Sequence, residues 1–401
     1  MTDFAVLRAP SQVLFGTGMA AATGRIAAGH GRRALVITDP VIAGTPGFAT
    51  VVESLAGLDV TVFSEAVVDV PGSAVDAALA LGSAAEPDVI VAVGGGSVID
   101  LAKVTALLLA HGAPLANYYA LQSVPGPIAP LIVLPTTAGT GSEATPVAVI
   151  TDPATEMKIG VASPHLIPRH AICDPLLSIG APPVVTAHSG IDALSHAVES
   201  FMAAREEPSP ELVLDRPQVG KNLLSDALAL TAADHVFHNL ERAVDDGSDL
   251  EARTGMLYGA LLAGIAFGNS GVSAAHALQF ALGAATHTSH GLGTGVLLPY
   301  VMEFNRPARP DEIAQLSSLM GGDAVSQVHA LGLKIGLPQS LADIGVARHD
   351  LRPMAEASVG IKRLVDNNPR PLDVDALEAI LNAAWHGEPE RLRAVGAAVS
   401  P

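Results

Sequence analysis

Asp192 and His196 stand four residues apart in Gly190-Ile-Asp-Ala-Leu-Ser-His196. On a helix that spacing places a carboxylate and an imidazole about one turn apart on one face, where an oxygen and a nitrogen can converge on a cation. The same spacing also serves ordinary helix-surface contacts. Further along, His276, His287 and His290 gather three of the chain's 14 histidines in one apolar, Gly-rich stretch. Any two of them, joined to Asp192 and His196, would give an Asp-plus-three-His set of oxygen and nitrogen ligands that suits Fe²⁺ or Zn²⁺. Spacing alone does not select the two. Cys173 is the only cysteine, so an intrachain disulfide and a Cys-built zinc site are both excluded. Its apolar surroundings in sequence mark it as a core residue rather than a nucleophile beside Asp174.

Three glycine-rich segments suit a different ligand. Val93-Gly94-Gly95-Gly96-Ser97-Val98-Ile99-Asp100 follows an expected strand and opens an expected helix through Lys103. Small residues there let a phosphate approach backbone N–H groups at the positive end of the helix, although a tight strand-to-helix turn has the same needs. Gly16-Thr-Gly18, with Asp39 after the next apolar run, imitates a dinucleotide fingerprint. Pro135-Thr136-Thr137-Ala138-Gly139-Thr140-Gly141-Ser142-Glu143 offers hydroxyl and amide groups suited to ribose, phosphate or nicotinamide edges. Lys158 adds a positive charge beyond it.

The elements that must carry these residues fall into two sets. Arg33–Asp39, Asp59–Phe63, Pro87–Val93, Pro130–Leu134 and Val147–Thr151 are short β-favouring runs, and helical stretches such as Ala49–Leu58 intervene. Near-continuous apolar strands alternating with helices imply a parallel sheet covered on both faces. Past Gly180-Ala-Pro-Pro183 the pattern turns helical, over Ser189–Phe201, Lys221–Leu240, Glu251–Phe267 and Leu372–Ala384. The expected organisation is an α/β domain over 1–181 and an all-α domain over 182–401, with Glu206–Lys221 an exposed, Pro-containing loop.

The chain has 401 residues, 49% of them hydrophobic and 15% charged, and a net charge of −18, which together describe a globular protein. That charge excludes a nucleic-acid backbone or an anionic membrane as the main partner. No Asp, Glu, Lys or Arg occurs from Val104 to Ser142, but Pro and Gly break the stretch into pieces shorter than a membrane helix. The start, Met-Thr-Asp-Phe, lacks the pattern of a signal peptide, so an intracellular, cytoplasmic protein is expected.

Together these motifs resemble the iron-containing, or group III, alcohol dehydrogenase family. The likeness rests on Gly94-Gly-Gly-Ser97 with Asp100 and Lys103, the Pro135–Glu143 stretch, Asp192-Ala-Leu-Ser-His196, and His290-Gly291, all in the family's order. It implies a dehydroquinate synthase-like fold: an N-terminal dinucleotide-binding α/β domain, a helical metal-binding domain and an active site in their cleft. It also selects Asp192, His196, His276 and His290 as catalytic metal ligands and leaves His287 outside them. The cofactor residues it implies are Asp39, Gly94, Gly95, Gly96, Ser97, Asp100, Thr136, Thr137, Thr140 and Lys158. Asp39 favours NAD over NADP by repelling a 2′-phosphate. The implied enzyme uses Fe²⁺, with Zn²⁺ as the other candidate, transfers hydride between a small alcohol or aldehyde and nicotinamide, and is a homodimer.

One departure stands out. Many members carry a second histidine four residues after the ligand matching His276, and this chain has Phe280 there. That puts the proton route in doubt and leaves His287 as a possible substitute. Phe280 and its apolar neighbours suggest an uncharged or modestly polar substrate. The competing functions are a hydroxyacid-oxoacid transhydrogenase, a maleylacetate-type reductase, a lyase of the wider fold group, and a noncatalytic nucleotide or metal sensor.

Overall fold

The structure is a computed structural model that describes residues 4–119, 123–152 and 158–393. It divides into two compact units. Arg8–Ala181 forms one together with Ser209–Pro217, and Pro182–Pro208 forms the other together with the segment ending at Leu7 and everything from Gln218 onward. The simple division at 181/182 is therefore corrected by two exchanged segments. The Leu223 N–H donates to Phe4 O at 3.1 Å, which ties the start of the chain into the helical unit. Arg8 donates to the carbonyls of Arg216 and Pro217 at 3.1 and 2.9 Å, which ties the other segment into the α/β unit.

The α/β unit contains strands β1 (Gln12–Phe15), β2 (Arg33–Ile37), β3 (Asp59–Phe63), β4 (Val89–Gly94), β5 (Leu131–Pro135), β6 (Val147–Thr151), β7 (Lys158–Ala162) and β8 (His170–Cys173). Its main helices are α1 (Thr23–Ala28), α2 (Pro46–Ser54), α3 (Gly72–Ala85) and α4 (Gly96–His111). Six strands form one parallel sheet in the order β1-β8-β5-β4-β2-β3. Both β4 and β5 are buried along their whole length, as expected for central strands written as unbroken apolar runs. The chain runs outward from β2 to β3 and then returns to place β4 on the other side of β2. This makes β2/β4 the switch point of the sheet, where open α/β folds bind ligands at the carboxyl ends of strands.

Val147–Thr151 does not continue that sheet. It pairs antiparallel with β7 in a separate two-stranded sheet, because only the short connection of residues 152–157 separates the two runs and a parallel pairing needs a much longer crossover. Strands β1 and β8 escaped the sequence reading because each has only four residues and begins on a polar residue.

The helical unit comprises α5 (Pro183–Met202), α7 (Leu223–Asp245), α8 (Leu250–Ser270), α9 (Ala274–Thr286), α10 (His290–Asn305), α11 (Pro310–Met320), α12 (Ala324–Lys334), α13 (Leu351–Val359), α14 (Lys362–Val365) and α15 (Val374–His386), and α6 (Pro210–Asp215) lies in the exchanged segment. Helix α5 is the hub and packs against α7, α8 and α10. Glycines permit the close approach. A Cβ on Gly291 would lie 2.0 Å from His188 O, and one on Gly190 would lie 2.3 Å from Leu240 Cδ1. Glu206–Lys221 is not a plain exposed loop. Ser209 caps α6 by accepting from the Leu212 N–H at 3.1 Å, and Lys221 is buried, with Nζ 2.8 Å from Asp226 Oδ2. Among the described residues no single helix is long and apolar enough to cross a membrane.

Candidate active site

Helix α5 presents Asp192 and His196 on one face, α9 begins with His276 in its first turn, and α10 opens on His290. Each of the four offers one ligand atom, and these atoms all lie within 4.8 Å of one another. Asp192 Oδ1 is 3.8 Å from His276 Nε2 and 3.7 Å from His290 Nε2, while Asp192 Oδ2 is 3.9 Å from His196 Nε2. These separations are too long for hydrogen bonds and suit atoms that share a central ion at roughly 2 Å from each. Asp192, His196 and His276 are buried, and His290 is half-buried.

The surrounding bonds fix which nitrogen of each ring faces inward. His276 Nδ1 lies 2.5 Å from Glu199 Oε2, and His290 Nδ1 lies 2.8 Å from Gln279 Oε1. With Nδ1–H donating outward, each Nε2 keeps its lone pair for the centre, the arrangement typical of metal-bound histidine. His276 Nε2 is buried without a hydrogen-bond partner. An orphaned lone pair among three other ligand atoms is a physical fit to a divalent cation. The His196 ring stacks on Phe267 with centroids 4.1 Å apart.

Burial alone would raise the Asp192 carboxyl, but His196, His290, His276 and a hydrogen bond from Thr294 Oγ1 outweigh it and hold the group below its ordinary value. Glu199 is likewise pushed up by burial and pulled down further by His276 and the N–H groups of Ser273 and Ala275. Both carboxylates are ready to carry charge. Sequence reasoning missed Glu199, Gln279 and Thr294. The signal was present: Glu199 follows His196 by three positions, Gln279 follows His276 by three, and Thr294 follows His290 by four, each on its ligand's helix face.

Phe280 is half-buried on α9. His287 is exposed at the C-cap of that helix, with φ +55° and its N–H bonded to Gly283 O, and it lies outside the four-residue group. His188, one turn before Asp192, has Nδ1 2.8 Å from Ser289 Oγ, and burial lowers its pKa.

In the α/β unit the register of β2 with β4 runs to Ile37↔Ala92, and Thr38 Oγ1 donates to Val93 O at 2.7 Å, so Asp39 emerges beside Gly94. Gly16 and Gly18 follow β1 at the far edge of the sheet, with β8, β5 and β4 in between. The Gly16/Gly18–Asp39 fingerprint is therefore not formed. That turn is fastened instead by Gly16 N–H to Cys173 O and Ala20 N–H to Asp174 Oδ2. Asp39 caps its own turn, accepting from the Val41 and Ile42 N–H groups at 2.8 and 2.9 Å.

The other two glycine segments meet each other. A Cβ on Gly96 would lie 2.6 Å from Thr140 Cγ2, and one on Gly95 would lie 3.4 Å from Thr137. Gly94 faces Val98 so closely that a Cβ would come within 2.5 Å of Cγ2. Thr136 N–H donates to Gly94 O at 3.0 Å and continues the sheet into the threonine-rich turn. Ser97, in the first turn of α4, accepts from the Asp69 N–H at 3.3 Å.

Asp100 lies one turn into α4. Its half-buried carboxylate accepts from Ser142 Oγ at 2.5 Å and Val149 N–H at 2.9 Å, so it fastens the 142–149 segment to α4. Lys103 completes that anchor with Nζ donating to Thr145 O and Val147 O at 2.9 and 2.8 Å. Burial lowers its pKa to about 8 and raises that of Glu143 to about 7. Lys158 is paired with Asp69 at 2.6 Å.

Glycine turns at the switch point of a parallel sheet, with an Asp-plus-three-His cluster in a helical unit, are the parts of a nucleotide- and metal-dependent oxidoreductase. Comparison with known proteins sharpens this. The family described as iron-containing alcohol dehydrogenase matches residues 10–175, and its C-terminal counterpart matches 186–385. Long-chain-alcohol dehydrogenase 1 of Geobacillus thermodenitrificans is 34% identical over 370 residues, covering 88% of this chain and 89% of its own. The NAD-dependent methanol dehydrogenase of Bacillus methanolicus is 31% identical over 96% of this chain and 100% of its own. A crystal structure of 1,3-propanediol oxidoreductase superposes with a TM-score of 0.88 at 31% identity, covering 95% and 100% of the two chains. The chain belongs to the iron-containing alcohol dehydrogenase family. It is a nicotinamide-dependent enzyme that interconverts alcohols and aldehydes.

Proposed function

We infer that the chain oxidises a small, uncharged primary alcohol to its aldehyde, and runs the reverse reduction, with NAD rather than NADP and with Fe²⁺ at Asp192, His196, His276 and His290. Zn²⁺ is the competing cation, since both accept nitrogen and oxygen ligands. The observation that carries this reading is the convergence of those four ligand atoms around the orphaned Nε2 of His276. Relatives named for methanol and 1,3-propanediol, together with Phe280 in the first turns of α9, support a small uncharged substrate.

When bound, the metal supplies Lewis-acid polarisation of the substrate oxygen, and nicotinamide accepts or returns the hydride. The protein's part is to prepare both. Asp192 brings the only formal charge among the four ligands, which leaves most of a dication's charge for the substrate. Glu199 and Gln279 hold His276 and His290 in the tautomer that turns Nε2 inward. The Gly94–Ser97 turn offers the free N–H groups of α4 to a diphosphate, Thr136, Thr137 and Thr140 flank it with hydroxyls, and Lys158 contributes a cation. Asp39 beside Gly94 supports NAD by accepting ribose hydroxyls and repelling a 2′-phosphate. A homodimer working in the cytoplasm completes the reading. The family resemblance supports the dimer, and the net charge of −18, unfavourable at anionic membranes, supports the location.

The test is absorbance at the reduced-nicotinamide band with NAD or NADP and a panel of small alcohols and aldehydes. The expected result is steady turnover of free NAD with alcohol alone. Tight nucleotide and metal binding with no turnover of free cofactor would instead identify a transhydrogenase or a noncatalytic binder.

A further inference from the structure

The segment before α3 is held in a conformation that its residues do not favour. Asp69 and Val70 have φ of +66° and +45°, two successive non-glycine residues in the left-handed region, and the second is β-branched. Such a backbone persists only where its surroundings over-determine it. Here three hydrogen bonds from two elements, α4 and β6, grip it. The Asp69 N–H donates to Ser97 Oγ at 3.3 Å, Thr151 Oγ1 donates to Asp69 O at 2.7 Å, and the Thr151 N–H donates to Val70 O at 3.0 Å. The product of this grip is a carboxylate in one place: Asp69 Oδ1 lies 2.6 Å from Lys158 Nζ.

Lys158 is the only cation among the residues assigned to the cofactor, and the anion that faces it is fastened to Ser97 of the diphosphate turn. We propose that Asp69 sets how tightly the cofactor is held, by competing with the cofactor's phosphates for Lys158. The inference rests on the cofactor reading above and deepens it. The side chains are 54% and 33% exposed, so the pair is weak and can exchange its anion in solvent. A site built this way binds its cofactor less tightly than its glycine turn would allow, and it releases product cofactor faster in consequence.

The experiment is calorimetric titration of NADH into the full-length, metal-loaded protein, comparing wild type with D69N, K158M and D69N/K158M. Asn tolerates the left-handed backbone as well as Asp does, so D69N removes the charge and leaves the turn in place, which an unchanged melting temperature checks. The expected result is a Kd for NADH about two- to fivefold lower in D69N at low ionic strength, a gap that narrows with added salt and disappears in the K158M background. An unchanged or higher Kd in D69N, or the same gain with Lys158 absent, overturns the proposal while leaving the cofactor site standing. Wild-type protein that binds no NADH overturns the cofactor reading and the proposal with it.

Discussion

His276 is bonded at one ring nitrogen and bare at the other: Nδ1 lies 2.5 Å from Glu199 Oε2, while the buried Nε2 has no hydrogen-bond partner. Glu199 also accepts from Ser273 N–H, Ser273 Oγ and Ala275 N–H, so one carboxylate both orients the ring and ties down the start of α9. E199Q sets an amide against some of those donors. Metal affinity is expected to fall about 10- to 100-fold, with a loss of about 1–3 kcal/mol in stability. Competition against a chelator reads the first and thermal melting reads the second. Wild-type affinity in E199Q would remove Glu199 from the account.

G96A tests the junction of the two glycine segments. A Cβ there would lie 2.6 Å from Thr140 Cγ2 and 2.9 Å from its Oγ1, so the threonine turn must move away from the mouth of α4. The expected outcome is a folded protein, less stable by about 1–3 kcal/mol, with NAD affinity reduced at least about tenfold because the backbone N–H groups no longer face a close-fitting turn. Calorimetric titration with NAD checks it.

Asp39 separates charge from turn geometry. Its carboxylate accepts from two N–H groups of its own turn, and the amide oxygen of Asn can do the same. D39N therefore keeps the turn and removes the repulsion toward a 2′-phosphate. The ratio of kcat/KM for NAD to that for NADP is expected to fall about tenfold, the size of one modest charge interaction.

Some of this was legible from the residues and some was not. The Asp192–His196 spacing survives folding because an α-helix converts four positions into one face, and the three apolar strands β2, β4 and β5 announced themselves because central parallel strands are buried on both sides. Spacing could not select among His276, His287 and His290, since the choice depends on how closely α5 and α10 approach at Gly291. It misread Gly16 and Gly18 because neighbours in sequence lie at opposite sides of a sheet whose strand order only the fold defines. The spacing did not show what Asp100 holds: its side chain accepts from Ser142 and Val149, partners more than 40 positions away in sequence. The exchange of Ser209–Pro217 between units rests on Arg8, more than 200 residues away in sequence, and no local pattern encodes it.

Glu143 gives a pH signature for the buried anchor below the threonine turn. Burial raises its pKa from 4.5 to about 7, with Lys103 and a backbone hydrogen bond pulling back only in part. A carboxyl raised in the folded state binds its proton there while the unfolded chain has released it, so its stabilising contribution is full below pH 4.5 and declines as pH rises toward about 7. E143Q lacks this titration. The stability of E143Q minus that of wild type is expected to grow by about 1–3 kcal/mol across that window and then level off. Denaturant melts at several pH values measure it, and a difference that stays flat would contradict the assignment.

The account turns on one metal held by Asp192, His196, His276 and His290. Its most direct measurement is titration of Fe²⁺, and separately Zn²⁺, into metal-free protein, following bound metal and alcohol-dependent NAD reduction in the same samples. The predicted result is turnover that rises in proportion to metal and saturates at one equivalent per chain, with neither binding nor turnover in H196A that remains folded. Full turnover in the metal-free protein, or metal binding and activity undiminished in H196A, would contradict it.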